Sequence, residues 1–291
     1  MTTKHWISAT RPKTLWAGAC PVILATAIAY SAESIHLPSA FAALLGALLI
    51  QIGTNFANDY YDGLKGADAD RKGPPRAVAS GLITPAAMKR AMIFTMLLVF
   101  VPGAYIMWRG GVPFLIIGLV SIASGIAYTG GPYPLAYNGL GDLFALIFFG
   151  PVAVGGTYYL QAYALPPEVI IAGIAPGLFS VAILTVNNLR DIEGDAAANK
   201  KTLPVRFGPT FAKAEYVTSI FIATVVIPVS LCIYLRGHYP ALAAALVFII
   251  AIPAYKTICT KTDGPSLNEL LGNTGKYLLL FTILFSIGWI L

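Results

Sequence analysis

Charge is scarce in this chain. Only 11% of its 291 residues are Asp, Glu, Lys or Arg, against about 25% in ordinary soluble domains. With 57% apolar residues and a mean hydropathy of +0.74, that shortage excludes a soluble globular enzyme and a disordered chain. Cysteine is nearly absent. Cys20, Cys232 and Cys259 have no CxxC spacing, which excludes a disulfide scaffold and leaves them as small hydrophobes. Three histidines, His5, His36 and His238, form no ligand pair, so haem and zinc find little support. No G-K-[ST] follows a P-loop spacing, and no Ser/His/Asp or Cys/His nucleophile arrangement appears.

What is present is repeated apolar sequence. Runs of span length stand at about 15–32, 38–60, 85–108, 112–128, 138–162, 168–189, 210–235, 239–257 and 267–291. The expectation is an all-α polytopic membrane protein with nine transmembrane helices, a single domain over 1–291, and two long polar connections at 61–84 and 190–209. Residues 29–32, Ala-Tyr-Ser-Ala, resemble a signal-peptidase site. The run at 15–32 nevertheless reads as a first spanning helix, because eight more follow.

The net charge of +6 would suggest nucleic acid in a soluble protein. Here it reads as loop cations on one side of a membrane. With the N-terminus inside, 17 Lys and Arg fall in inside segments and only Arg109 and Arg236 outside. That split predicts a cytoplasmic N-terminus, an external C-terminus, and both polar loops on the cytoplasmic face.

Seven of the 13 acids occupy two short windows at the ends of spans on that face: Asp59, Asp62, Asp68 and Asp70, then Asp191, Glu193 and Asp195. Carboxylates at a membrane boundary call for a reason. Asn55, Asp59 and Asp62 are spaced by 4 and 3, Asn58 and Asp62 by 4, and Asn188, Asp191 and Asp195 by 3 and 4. Each set projects from one helix face. Two such faces across a cavity offer hard oxygen donors of the kind Mg²⁺ shares with a substrate phosphate. The competing reading, a solvated acidic helix end, suits one window better than two matched ones.

Lys72, Arg76, Arg190 and Lys201 lie near the acid windows and are candidates for holding a diphosphate, with membrane-surface anchoring as the alternative. Arg71, Lys89, Arg90 and Lys213 are left with that alternative. Tyr60, Tyr61, Tyr128, Tyr133, Tyr158 and Tyr159 are by default interfacial tyrosines. Tyr128 and Tyr133 flank a Gly-Pro-rich turn on the acidic face, where a ring can stabilise a developing carbocation. Asp142, alone near the start of the fifth span, is an intramembrane acid and hence a functional candidate, the alternative being a helix-packing or capping role.

These residues resemble the UbiA superfamily of intramembrane prenyltransferases. The first family motif, N-D-x-x-D, stands as Asn58-Asp59-Tyr60-Tyr61-Asp62, and the second as Asn188, Asp191 and Asp195. The further Asp of many members is Gly66 here, followed by Asp68 and Asp70. Intervening segments resemble the 1,4-dihydroxy-2-naphthoate polyprenyltransferase branch. These include Arg11-Pro12-Lys13-Thr14, Lys65-Gly66-Ala67-Asp68, Tyr128 to Pro132, Gly139-Leu140-Gly141-Asp142, Gly156-Thr157-Tyr158-Tyr159, Asn187 to Asp195 and Leu267-Asn268. The resemblance implies nine helices around a central cavity. It implies Mg²⁺ held by Asn58, Asp62, Asp68, Asn188, Asp191 and Asp195, with Lys72, Arg76, Arg190 and Lys201 on the diphosphate of a polyprenyl donor. It implies transfer to 1,4-dihydroxy-2-naphthoate with loss of CO₂, giving demethylmenaquinone, with a prenyl tail held among apolar helices. Asp62, Asp68 and Asp142 are all candidate proton acceptors, and Tyr128 a candidate for stabilising the cation. The rivals are another aromatic acceptor, such as 4-hydroxybenzoate or homogentisate, and a cation or phosphate transporter. The clustering of acids on one face speaks against transport.

Overall fold

A computed structural model of the chain describes residues 2–65 and 73–291. All regular secondary structure among those residues is helical, with no strand. The helices are α1 (Thr3–Ala9), α2 (Leu15–Ser31), α3 (Leu37–Leu64), α4 (Pro85–Gly110), α5 (Val112–Ala127), α6 (Gly141–Ala162), α7 (Pro167–Arg190), α8 (Ile192–Ala197), α9 (Leu203–Leu235), α10 (Tyr239–Thr260) and α11 (Gly264–Ile290). Counting α1 and α2 as one element, Thr3–Ser31, eight are long and apolar enough to cross a membrane. The one remaining apolar run, 112–128, folds as α5, a shorter helix of 16 residues.

Local chemistry sets the ends. The His36 imidazole caps α3 by accepting from the Ser39 N–H, Thr84 Oγ1 accepts from Ala87 N–H at the start of α4, and the Asp263 carboxylate accepts from Ser266 N–H at the start of α11. Proline occupies the first turn of α3, α4, α5, α7 and α11, where its missing N–H costs no helical bond. The boundary read from sequence near residue 210 corresponds to a kink within α9 at Gly208-Pro209, where Gly208 adopts φ 85°.

The most enclosed helix is α7, which packs against α2, α6, α9 and α11. Its contact with α6 depends on small residues. A Cβ at Gly177 would come within 2.5 Å of the Leu146 carbonyl oxygen, and one at Gly150 within 2.8 Å of the Gly173 carbonyl oxygen. Bare backbones therefore meet, as is common where apolar lipid removes the hydrophobic drive for helix association. The same crossing bends α6 through a π-turn at Phe148–Val152, which contains Pro151. The main apolar core runs through α2, α7, α9 and α11, with Phe179, Phe281, Leu24 and Tyr216 fully buried. A smaller core joins Phe56 and Ala57 of α3 to Met88 and Met92 of α4 and to Ala77, Val78 and Ile83 of the connection between them. Helices α2 and α6 each pack against both α3 and α7. A cavity of about 700 Å³ lies within this frame.

Of the cysteines, Cys20 and Cys232 are buried as expected of small hydrophobes, whereas Cys259 is exposed.

Candidate active site

The cavity has a polar end and an apolar body. Arg11, Asn55, Asn58, Asp62, Arg76, Tyr128, Asn187, Asn188 and Lys200 line the polar end. Phe100, Met107, Phe114, Phe144, Phe148, Ile183 and Leu184 line the body. The two sequence windows meet at the polar end, from the last turns of α3 and α7.

On α3 the two registers of polar residues do different work. Asn58 and Asp62 face the cavity. Asn58 Oδ1 accepts from Thr129 Oγ1 at 3.0 Å, and Asp62 Oδ1 accepts from Tyr137 Oη at 3.0 Å. Asn55 instead donates to the Thr10 carbonyl at 2.9 Å, holding the break between α1 and α2. There Arg11 takes a left-handed φ of 52°, which brings its side chain to the cavity. Asp59 also turns away. Its carboxylate, 2% exposed, accepts the backbone N–H of Ala77 at 3.1 Å and of Val78 at 2.9 Å. The spacing Asn55, Asp59, Asp62 therefore is not one ligand face. Asn55 and Asp59 fasten flanking chain, and of the three only Asn55 and Asp62 line the cavity.

The second window is interrupted. Helix α7 ends at Arg190, Asp191 leaves helical geometry at φ −97° and ψ 12°, and α8 restarts the turn. Asn188 remains on the cavity wall. The Arg190 guanidinium grips Asp191 at 2.7 and 2.9 Å, and bonds Asn187 Oδ1 at 2.8 Å and Asn268 Oδ1 of α11 at 3.5 Å. Gly73 of the first connection lies against that guanidinium, where a Cβ would come within 2.6 Å of Cζ. Arg190 is thus buried and does not line the cavity.

Lys200 joins the windows. Its ammonium stands 3.5 Å from Asp195 Oδ1 and 3.9 Å from Asp62 Oδ2. Asp195 is buried, and its Oδ2 has no hydrogen-bond partner among the described residues. Burial pushes its carboxyl up from 3.8 to about 6, with Lys200 acting against that rise and Asp191 and Asp62 adding to it. Across the site, Lys65 donates to the Thr129 carbonyl at 2.7 Å and lies 4.3 Å from the Tyr137 ring centre. Partial burial holds the Lys65 ammonium below the ordinary lysine value, although Asp62 favours its charge.

Among the other sequence candidates, Arg76 is buried on the cavity wall and Tyr128 lines it. Lys201 is exposed and does not line the cavity, its backbone N–H donating to the Tyr137 carbonyl at 3.0 Å. Asp142 is buried at the start of α6 but does not line the cavity, and its Oδ1 has no hydrogen-bond partner among the described residues. The Tyr128 hydroxyl lies beside it in the chain fold, where a Cβ on Gly141 would come within 2.9 Å of Oη. Tyr133 is exposed. Asp68, Asp70, Arg71 and Lys72 lie outside the described residues.

Four residues escaped the sequence reading. Lys200 was passed over for its neighbour. Tyr137 sat outside the tyrosines singled out. Lys65 and Arg11 were read only as inside cations or as parts of longer segments. For Lys200, the signal available was its distance of five residues from Asp195, which a helix followed by a turn brings back onto the carboxylate.

The donor set suits a hard cation only in part by itself. Among the described residues no three His, Cys, Asp or Glu side chains stand close enough to hold a metal alone. Asn58 and Asn188 add amide oxygens, Asp195 Oδ2 lacks a partner, and an ammonium already occupies the space between Asp62 and Asp195. A divalent ion at such a donor set would need further oxygens, such as those of an anionic ligand, to complete its shell.

Fold and site thus define a multi-pass membrane protein with a polar site opening into an apolar chamber. The particular family follows from comparison. Residues 19–288 match the UbiA prenyltransferase family, and the chain belongs to it; it is a prenyltransferase. It is 36% identical over 98% of its length to the 1,4-dihydroxy-2-naphthoate octaprenyltransferase of Escherichia coli, covering 95% of that protein. It is 35% identical over 96% of its length to the enzyme of the same name from Mycobacterium tuberculosis, covering 94% of it. The human UbiA prenyltransferase domain-containing protein 1 is 30% identical over 98% of this chain and 83% of its own length. A UbiA homologue from Archaeoglobus fulgidus, solved with GPP and Mg²⁺, shares the fold at a TM-score of 0.65 and 17% identity, over 99% of this chain and 100% of that one.

Proposed function

We propose that this protein transfers a polyprenyl group from a polyprenyl diphosphate to 1,4-dihydroxy-2-naphthoate, with Mg²⁺, releasing diphosphate and CO₂. The carrying observation is the meeting of Asn58, Asp62, Asn188, Arg76 and Lys200 at one end of an apolar chamber of about 700 Å³. A diphosphate at the polar end leaves its hydrocarbon tail nowhere to go but the apolar body. The bacterial relatives named for this acceptor support its choice.

Asn58, Asp62, Asn188, Asp191 and Asp195, with Asp68 beyond the described residues, would hold Mg²⁺, which neutralises charge gathering on the departing diphosphate. Arg76 and Lys200 contact the same oxygens, with the exposed Lys201, and Lys72 outside the described residues, as further contacts. Arg190 holds Asp191 in place instead of reaching the substrate. The allylic C–O bond breaks and its electron pair leaves on diphosphate. The ring carbon bearing the carboxylate bonds to the allylic cation, CO₂ departs, and its bonding pair restores the aromatic ring. A carboxylate takes a phenolic proton, raises ring nucleophilicity, and returns the proton once CO₂ has left; the candidates are Asp62 at the polar end, Asp142 behind Tyr128, and Asp68, which lies outside the described residues. Tyr128 offers its ring to the cation. No oxidant enters, so demethylmenaquinone forms at its quinol level. The apolar walls keep water from the cation.

The same reading places nine crossings, with α5 as the short one, a cytoplasmic N-terminus and an active site facing the cytoplasm of a plasma membrane. Its basis is the 17 to 2 distribution of cations. The deciding experiment is turnover by the purified protein with a short prenyl diphosphate and either the naphthoate or 4-hydroxybenzoate, with Mg²⁺ or EDTA. The expected result is Mg²⁺-dependent product and CO₂ from the naphthoate alone. Product from the other acceptor overturns the acceptor assignment, and no product from either overturns the reaction.

A further inference from the structure

A second polar pocket, of about 340 Å³, lies apart from the chamber, between the start of α2 and the first half of α11. Lys13 and Trp16 form one wall, and Asn268, Glu269, Asn273 and Lys276 the other. On α11 these residues fall at successive steps along one helix face. Two features are unusual. Lys276 is exposed although it sits in the thirteenth position of a 27-residue spanning helix. An outward-facing cation at that depth is costly unless its ammonium reaches polar surroundings. Its Nζ turns back toward the helix start and donates to Asn273 Oδ1 at 3.2 Å. Lys13, reaching in from the turn just before α2, lies over Gly272. A Cβ there would come within 3.2 Å of its Cδ and 3.6 Å of its Nζ, so the missing side chain makes room for the lysine stem. Lys13 has no hydrogen bond or ion pair among the described residues, and neither lysine pairs with Glu269.

We propose that Lys13 and Lys276, with the amides of Asn268 and Asn273, form a phosphate-binding site at the membrane interface. Its ligand is the phosphodiester headgroup of an anionic lipid or the free anion. Two ammoniums and two amides line one pocket, and Trp16 supplies the amphipathic ring typical of a membrane boundary. Glu269 at the rim leaves the site with one net positive charge, suited to a monoanionic phosphodiester. Asn268 also meets Arg190, so an occupant here touches the support of Asp191 without entering the chamber.

The test uses the full-length protein and the K13Q/K276Q variant, whose changes fall on exposed side chains. Native mass spectrometry counts retained lipid after exchange into detergent carrying phosphatidylglycerol or phosphatidylcholine. A parallel arm measures the thermal shift with inorganic phosphate. Wild-type protein is expected to keep one phosphatidylglycerol, and the variant to lose it. Each lysine near a charged surface is worth roughly fivefold, so binding weakens roughly 25-fold. A phosphate-induced shift present only in the wild type, without lipid retention, assigns the site to the free anion. Equal retention by both proteins, equal retention of phosphatidylcholine, or no response in either arm overturns the proposal. Retained turnover in the variant separates this site from the catalytic one.

Discussion

Asp59→Ala separates the two acids of the first motif. In the folded protein the Asp59 carboxylate satisfies two buried N–H groups, of Ala77 and Val78, at 3.1 and 2.9 Å. Alanine leaves both without an acceptor, and each buried orphan costs about 1–3 kcal/mol. The turn that carries them is otherwise held by the Ser80 N–H and hydroxyl on the Arg76 carbonyl, by Ile83 N–H on the Ala77 carbonyl, and by Val78 packed against Gly63. Those contacts stay, so the helices remain folded and the loss falls on the seating of the turn. At about 3 kcal/mol, seated turn becomes roughly 100-fold less favoured relative to open. Arg76 leads into that turn, so apparent affinity for the prenyl diphosphate drops by up to that factor, while the acceptor KM changes little. Hydrogen exchange should accelerate at Ala77 and Val78 and stay slow within α3 and α7. Unchanged exchange there, or a KM effect confined to the acceptor, would refute the reasoning. Asp62→Ala provides the contrast: turnover is lost with the turn still protected.

Three further outcomes are expected. Lys200→Gln should lower kcat/KM for the prenyl diphosphate at least tenfold, and Lys201→Gln should leave it within about twofold, because only Lys200 reaches Asp62 and Asp195; steady-state kinetics decides. The folded-state value of Asp195 is raised from 3.8 to about 6, so its stabilising contribution is complete below 3.8 and is lost as pH rises through about 6. In EDTA, melting temperature should therefore fall over that interval, and Asp195→Asn should flatten the fall. Asp142→Asn should slow catalysis more than it alters the Mg²⁺ requirement, and an unchanged rate returns Asp142 to helix packing.

The sequence made the bundle legible because lipid imposes one rule on every span, and each apolar run became a helix. It also placed Asn58, Asp62 and Asn188, since a helix fixes which residues share a face. It misplaced what depends on how loops return. Asp59 lies about 100° around α3 from Asn58, and only the path of residues 76–81 decides what meets it. The choice between Lys200 and Lys201 turns on a reversal after α8, where Asn199 takes φ 56° and Lys200 N–H bonds the Asp195 carbonyl at 2.8 Å. Arg190 looked like a substrate contact by proximity to the acids. Its immediate neighbour, Asp191, captures it instead. Tyr137 was hidden because its partner, Asp62, is 75 residues away.

The acid-bearing ends of α3 and α7 are held in place through their shared neighbours α2 and α6, with Lys200 spanning the gap between Asp62 and Asp195. A metal–diphosphate held there, as proposed, would work as a keystone, joining the two ends and relieving the ammonium of its bridging duty. Whatever binds only the assembled state adds its own binding free energy to the fold. A cell rich in prenyl donor would then hold this protein in a sturdier form than a starved one. Donor supply would set the lifetime of the catalyst as well as its rate.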